Sequence, residues 1–137
     1  LAKERKVKEK MGQKILVVDD SETVRQQVEY ALTKADLEVI HAEDGVIGWE
    51  KLTENDDIGL VICDVNMPRM NGLELVEKIK QSGRYDNLPI VMLTTEGSPQ
   101  LIQQAKKAGA KGWVVKPFKP ELLVKATTKI LAKNKAA

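Results

Sequence analysis

Five short apolar runs rich in Val, Ile and Leu recur along the chain, at residues 14–18, 38–42, 58–63, 89–93 and 112–115. Each stops at polar residues, and each is followed by a stretch whose apolar positions fall three and four apart, at 21–35, 46–52, 71–80, 98–109 and 120–133. Short β-branched runs read as buried strands, and the three-and-four spacing reads as one face of an amphipathic helix. Local signals agree. Ser98 and Pro99 suit the cap and first position of the fourth helix and Gly109 its end, whereas Gly48 weakens the second helix. Strands that are apolar throughout, alternating with helices, predict an α/β fold: a doubly wound, five-stranded parallel sheet with five helices and right-handed crossovers.

With 137 residues and an aromatic share of 4%, the chain has room for one domain with an aliphatic core. Residues 1–10 hold five basic and two acidic side chains, so the remaining 127 carry a net charge of −1 within the total of +2. A phosphate-binding face needs a basic excess on the folded part, and no nucleic-acid partner is expected. Residues 1–12 read as a charged N-terminal arm, a helix extension or an expression remnant, and 13–137 as the domain. No window approaches the ~18 apolar residues of a membrane span, and the charged start lacks a signal peptide's apolar stretch. A cytoplasmic protein away from membranes is expected. A single Cys63 and a single His41 exclude an internal disulfide, a zinc ligand set and a Cys/His enzyme.

In an open parallel sheet, ligands gather beyond the carboxyl ends of the strands. Asp19 and Asp20 follow the first strand, Asp64 the third, Thr94 and Thr95 the fourth, and Lys116 the fifth. The second strand ends in Ala42-Glu43-Asp44, which suggests no role. Three converging carboxylates repel one another unless a cation shares the site. Mg²⁺ suits oxygen ligands and an open coordination sphere, and Lys116 adds a fixed positive charge, which together describe a phosphoryl site. Asp64, alone at the end of a central strand, is the candidate nucleophile, with Thr94 donating a hydroxyl to a phosphoryl oxygen. No Gly-rich phosphate loop follows any strand, so nucleotide binding by the chain itself is not expected.

The ordered set Ile-Leu-Val-Val-Asp-Asp at 15–20, Asp-Val-Asn-Met-Pro-Arg-Met-Asn-Gly at 64–72, Thr94 and Val-Val-Lys-Pro-Phe at 114–118 resembles the response-regulator receiver domain of two-component signalling. The resemblance covers nearly everything from Lys14 to Lys133 and, through residues 42–46, 66–68 and 112–118, is strongest to the single-domain chemotaxis type. It implies a flavodoxin-like sheet and an Asp64 that accepts a phosphoryl group from a histidine kinase. It also implies Mg²⁺ on Asp20, Asp64 and the Asn66 backbone carbonyl, with Asp19 acting partly through water. Thr94 and Lys116 would hold the phosphoryl oxygens, and the Lys116-Pro117 bond would be cis. The switch aromatic of strand five is usually Tyr or Phe; here it is Trp113, which needs more room to turn inward. Asn66 and Glu96 match regulators whose phosphate is short-lived, so rapid decay is expected. The downstream partner would dock on helix four, strand five and helix five, and no DNA-binding or cyclase output is expected.

Plainer roles compete at several positions. Asp19-Asp20 would also favour a helix N-terminus, Cys63 reads as core, His41 as an edge or turn residue, and Trp49 as core. Two other functions fit the same residues. One is an aspartyl-phosphate phosphohydrolase, although Asn66 stands where a general acid would be needed. The other is a receiver excised from a larger hybrid kinase or phosphorelay protein.

Overall fold

Lys14 to Val18 form the interior strand β1, flanked by β2 (Glu38–Ala42) and β3 (Ile58–Cys63), with β4 (Ile90–Thr94) and β5 (Gly112–Val115) completing the sheet beyond β3. The structure, a computed structural model, describes residues 14–136, so the reading of 1–12 as an arm lies outside the described residues. All pairings are parallel and the strand order is β2-β1-β3-β4-β5. The order reverses beside β1, so β1 and β3 leave the sheet toward helices on opposite faces, and a crevice opens at their carboxyl ends.

The helices are α1 (Glu22–Thr33), α2 (Gly45–Glu54), α3 (Gly72–Gln81), α4 (Pro99–Ala108) and α5 (Pro120–Ala136). Alternation along each strand divides the core in two. Leu16, Val18, Val61, Cys63, Ile90 and Met92 face α2, α3 and α4, burying Leu52, Leu75, Val76, Ile79 and Ala105. Ile15, Val17, Leu60, Ile62, Val91 and Leu93 face α1 and α5, burying Val28, Leu32, Leu123 and Leu131. Strands apolar on both faces are what a sheet covered on both sides requires, and the doubly wound expectation holds.

Caps fix where the helices begin. Ser21 accepts from Val24 N–H at 3.3 Å, Ser98 from Leu101 N–H at 3.3 Å, and Asn71 forms a reciprocal capping box with Glu74 at 2.9 and 3.0 Å. Gly109 ends α4 at φ +117°. Gly48, expected to weaken α2, has a packing reason: a Cβ there would lie 3.0 Å from Val18 and 3.2 Å from Leu75. The fourth strand begins at Ile90 and not at Pro89, because proline has no N–H to give the ladder; its carbonyl instead accepts from Val61 N–H at 3.0 Å. Cys63 is fully buried, its thiol pKa pushed up by burial and then by the nearby Asp64 and Asp19 charges. His41 lies on edge strand β2 with Nε2 3.2 Å from Glu29, and Trp49 is half-buried against the core. Among the described residues, no helix is long and apolar enough to cross a membrane.

Candidate metal and phosphoryl site

Backbone hydrogen bonds set the strand ends level. Asp19 N–H donates to Ala42 O at 3.0 Å, Asp64 N–H to Val18 O at 2.9 Å, and Lys116 N–H to Thr94 O at 2.8 Å. The ladder therefore delivers Asp19, Asp20, Asp64, Thr94 and Lys116 to one edge of the sheet. Asp19, Asp64 and Thr94 are buried there, and Asp20 is exposed. Thr95 is exposed, so of the two threonines Thr94 is the one the sheet turns inward.

One ligand oxygen each from Asp19, Asp20 and Asp64 lies within 4.8 Å of the other two. Among the described residues, the ammonium bonded to this group is that of Lys116, whose Nζ donates to Asp19 Oδ2 at 2.7 Å and Asp64 Oδ2 at 3.2 Å. One cation against three carboxylates leaves a surplus equal to the charge of a divalent ion. Burial, the largest influence, lifts the Asp19 carboxyl above the usual carboxylate range, and the Asp64 charge adds to the lift, against opposing bonds from Lys116 and Ser21 N–H. Burial works against the Lys116 ammonium, but the bond and charge of Asp19, then Asp64, outweigh it and raise its pKa. Hard oxygen donors, a negative surplus and one exposed ligand make a group that could bind a hard divalent metal.

Asp64 Oδ1 accepts from Val65 N–H at 2.7 Å, which fixes the carboxylate plane. The chain then runs through Asn66 to Met70 and returns to α3. Gly72 backs this loop so closely that a Cβ would lie 2.0 Å from the Asp64 carbonyl oxygen. The Lys116-Pro117 peptide is cis, as the family resemblance implies.

Thr94 and Trp113, the pair the resemblance implies as a switch, are joined through Glu96. Thr94 has no hydrogen bond to Asp64 among the described residues; its Oγ1 accepts from Glu96 N–H at 3.2 Å. Asn66 Nδ2 donates to Glu96 Oε1 at 3.2 Å, and the Trp113 indole N–H donates to the Glu96 carbonyl at 2.8 Å. Glu96 thus joins three other residues singled out from sequence, Thr94, Asn66 and Trp113.

Two residues the sequence reading passed over shape the same loop. Asp44 is buried, caps α2 through Ile47 N–H at 3.0 Å, and accepts from Arg69 Nε at 2.9 Å. Burial pushes the Asp44 carboxyl up, yet the Ile47 N–H and Arg69 prevail and hold it below the usual range. Arg69 sits at φ +63°, and Gly45 N–H donates to Met70 O at 3.1 Å, so this end of β2 latches the loop after Asp64. The sequence signal was Asp44 at the end of the second strand, which alone suggests no role.

The profile of the response regulator receiver domain matches residues 15–128. A chemotaxis protein CheY homolog of Campylobacter jejuni is 47% identical over 111 residues, covering 80% of this chain and 85% of that protein. Chemotaxis protein CheY1 of Helicobacter pylori is 44% identical over 122 residues, covering 88% and 98%. The solved structure of Vibrio cholerae chemotaxis protein CheY4 superposes with a TM-score of 0.80 at 44% identity, over 85% of this chain and 97% of that one. Sheet order, acidic cluster and sequence agree along most of the length: the chain belongs to the response regulator receiver domain family.

Proposed function

We propose that the chain is a chemotaxis-type response regulator that accepts a phosphoryl group on Asp64 from a histidine kinase and answers by changing a protein-docking surface. The observation that carries this reading is the Lys116 ammonium bonded to both Asp19 and Asp64, at 2.7 and 3.2 Å. Residues far apart in sequence meet there only to build a charged pocket, and an anion added to Asp64 would find a cation already beside it.

Asp20, Asp64, the Asn66 carbonyl and, through water, Asp19 would hold Mg²⁺. When bound, Mg²⁺ supplies charge neutralisation for the oxygens of the transferred group. Asp64 provides the attacking carboxylate oxygen; its bond to phosphorus forms as the bond to the donor imidazole breaks, and the electron pair leaves with the imidazole. Lys116 neutralises a phosphoryl oxygen. Thr94 Oγ1 already accepts from Glu96 N–H, so its own proton remains to donate to another.

Drawing Thr94 toward the phosphoryl group would pull on Glu96 and, through it, on Trp113. The surface that would respond comprises α4, β5 and α5, where Val115 on β5 and Leu122 on α5 are exposed apolar side chains and Trp113 is half-buried. The switch is a shift between two populations, not a new fold. Asn66 and Glu96, in contact beside Asp64, suit a short-lived phosphate and a cytoplasmic relay that resets quickly. Asn66→Ala and Glu96→Ala are each expected to change phosphate lifetime while retaining Mg²⁺ binding.

The test is amide NMR of the full chain with beryllofluoride and Mg²⁺, which mimic an aspartyl phosphate. Resonance shifts concentrated in α4, β5 and α5, absent in Asp64→Asn, are expected. Shifts confined to the strand ends would contradict the switching surface.

A further inference from the structure

We infer that Trp113 is a positioning residue for hydrolysis of the aspartyl phosphate, acting through the main chain of Glu96. The inference rests on the reading of Asp64 as phosphoryl acceptor and adds a second task to the aromatic side chain of β5.

The segment between β4 and α4 is short of other restraints. Thr95 and Gly97 are exposed, and a Cβ placed on Gly97 would meet only Val115, at 3.7 Å. Glu96, between them, is held at three separate atoms: its N–H by Thr94 Oγ1 at 3.2 Å, its carboxylate by Asn66 Nδ2 at 3.2 Å, and its carbonyl by the Trp113 indole N–H at 2.8 Å. The indole bond is the shortest of the three and comes from a ring packed against the core, so it is the firmest anchor. Its distance and donor are those of a well-made neutral hydrogen bond.

Asn66 stands two residues beyond Asp64, and on this reading its carboxamide, bonded to Glu96 at 3.2 Å, orients an incoming water. In hydrolysis the water oxygen bonds to phosphorus, the bond from phosphorus to the Asp64 oxygen breaks with its electron pair returning to the carboxylate, and a water proton leaves to solvent. The rate depends on where the carboxamide holds that water. Glu96 holds the carboxamide, and Trp113 holds Glu96. Loosening the last link spreads the positions Asn66 visits and slows the attack.

The donor, not the bulk, is the operative feature. A phenylalanine keeps an aromatic ring in the half-buried slot but has no N–H. A tyrosine restores a polar donor at the ring's end.

The experiment charges the full chain with acetyl phosphate and Mg²⁺, removes the donor by rapid desalting into Mg²⁺ buffer, and follows decay of the adduct by intact mass. Trp113→Phe should decay about fivefold more slowly, the effect of losing one net hydrogen bond, while Trp113→Tyr stays within about twofold of the parent. In a Glu96→Ala background, Trp113→Phe should add nothing. Mg²⁺ affinity, read by isothermal titration, should match among the parent, Trp113→Phe and Trp113→Tyr. Equal decay of parent and Trp113→Phe overturns the proposal, as does slow decay of Trp113→Tyr or an undiminished Phe effect in the Glu96→Ala background. Failure of the parent itself to form an adduct overturns the underlying reading of Asp64 instead.

Discussion

Lys116 donates to Asp19 at 2.7 Å and to Asp64 at 3.2 Å, so the lysine is engaged more closely with Asp19 than with the proposed acceptor, Asp64. The ammonium occupies part of the electrostatic role that a metal would take. Binding a divalent cation and binding Lys116 are then competing ways of neutralising the same carboxylates.

Lys116→Met is therefore expected to raise Mg²⁺ affinity about tenfold, since it removes a fixed cation from the ligand set. The same variant should lose the coupling between modification of Asp64 and the surface of α4, β5 and α5. Isothermal titration checks the first effect and amide NMR with beryllofluoride the second. Weaker Mg²⁺ binding in Lys116→Met would show that the lysine organises the metal ligands instead of competing for them.

Asp44 makes one pH-dependent contribution to stability. Its folded pKa lies below the ordinary value of 3.8, so its contribution to stability is complete above that value and is lost as the pH falls through the folded pKa. Asp44→Ala, which removes both the α2 cap and the partner of Arg69, should cost about 1–2 kcal/mol at neutral pH. Asp19 shifts in the opposite direction, so the quantity to read is the difference between parent and variant. Urea unfolding at pH 7 and pH 3 should give a gap that narrows in acid; an unchanged gap would contradict the ionised Asp44–Arg69 latch.

Gly72→Ala sets two effects against each other. Alanine in a helix is worth up to ~1 kcal/mol over glycine, but here the new Cβ would lie 2.0 Å from the Asp64 carbonyl oxygen and 2.8 Å from its carbon. Backbone cannot yield as a flexible side chain does, so the clash prevails and the loop after β3 must move. Net destabilisation of about 2–3 kcal/mol is expected, with slower phosphorylation in the fraction that remains folded. Thermal melts and adduct formation rates check both; a more stable Gly72→Ala with unchanged rates would refute the role given to this close approach.

What could be read from sequence was the part governed by periodicity. Five apolar runs and five helical spacings predict the sheet, and the rule that ligands sit at strand ends puts Asp64, Thr94 and Lys116 on one rim. The division between buried Asp19 and exposed Asp20 was not legible, because adjacent residues leaving a strand point to opposite sides and the side depends on where the strand stops. Nor was the role of Glu96 as a hub, since two of its three bonds depend on residues 17 and 30 positions away. Asp44 was missed for a related reason: its partner Arg69 belongs to a loop whose path no local pattern specifies.

The most direct test of the account is the intact mass of the full chain after exposure to acetyl phosphate, with and without Mg²⁺, beside Asp64→Asn. A single phosphoryl adduct that requires both the metal and Asp64 is the predicted result. No adduct under rapid trapping, or an adduct that survives in Asp64→Asn, would contradict it.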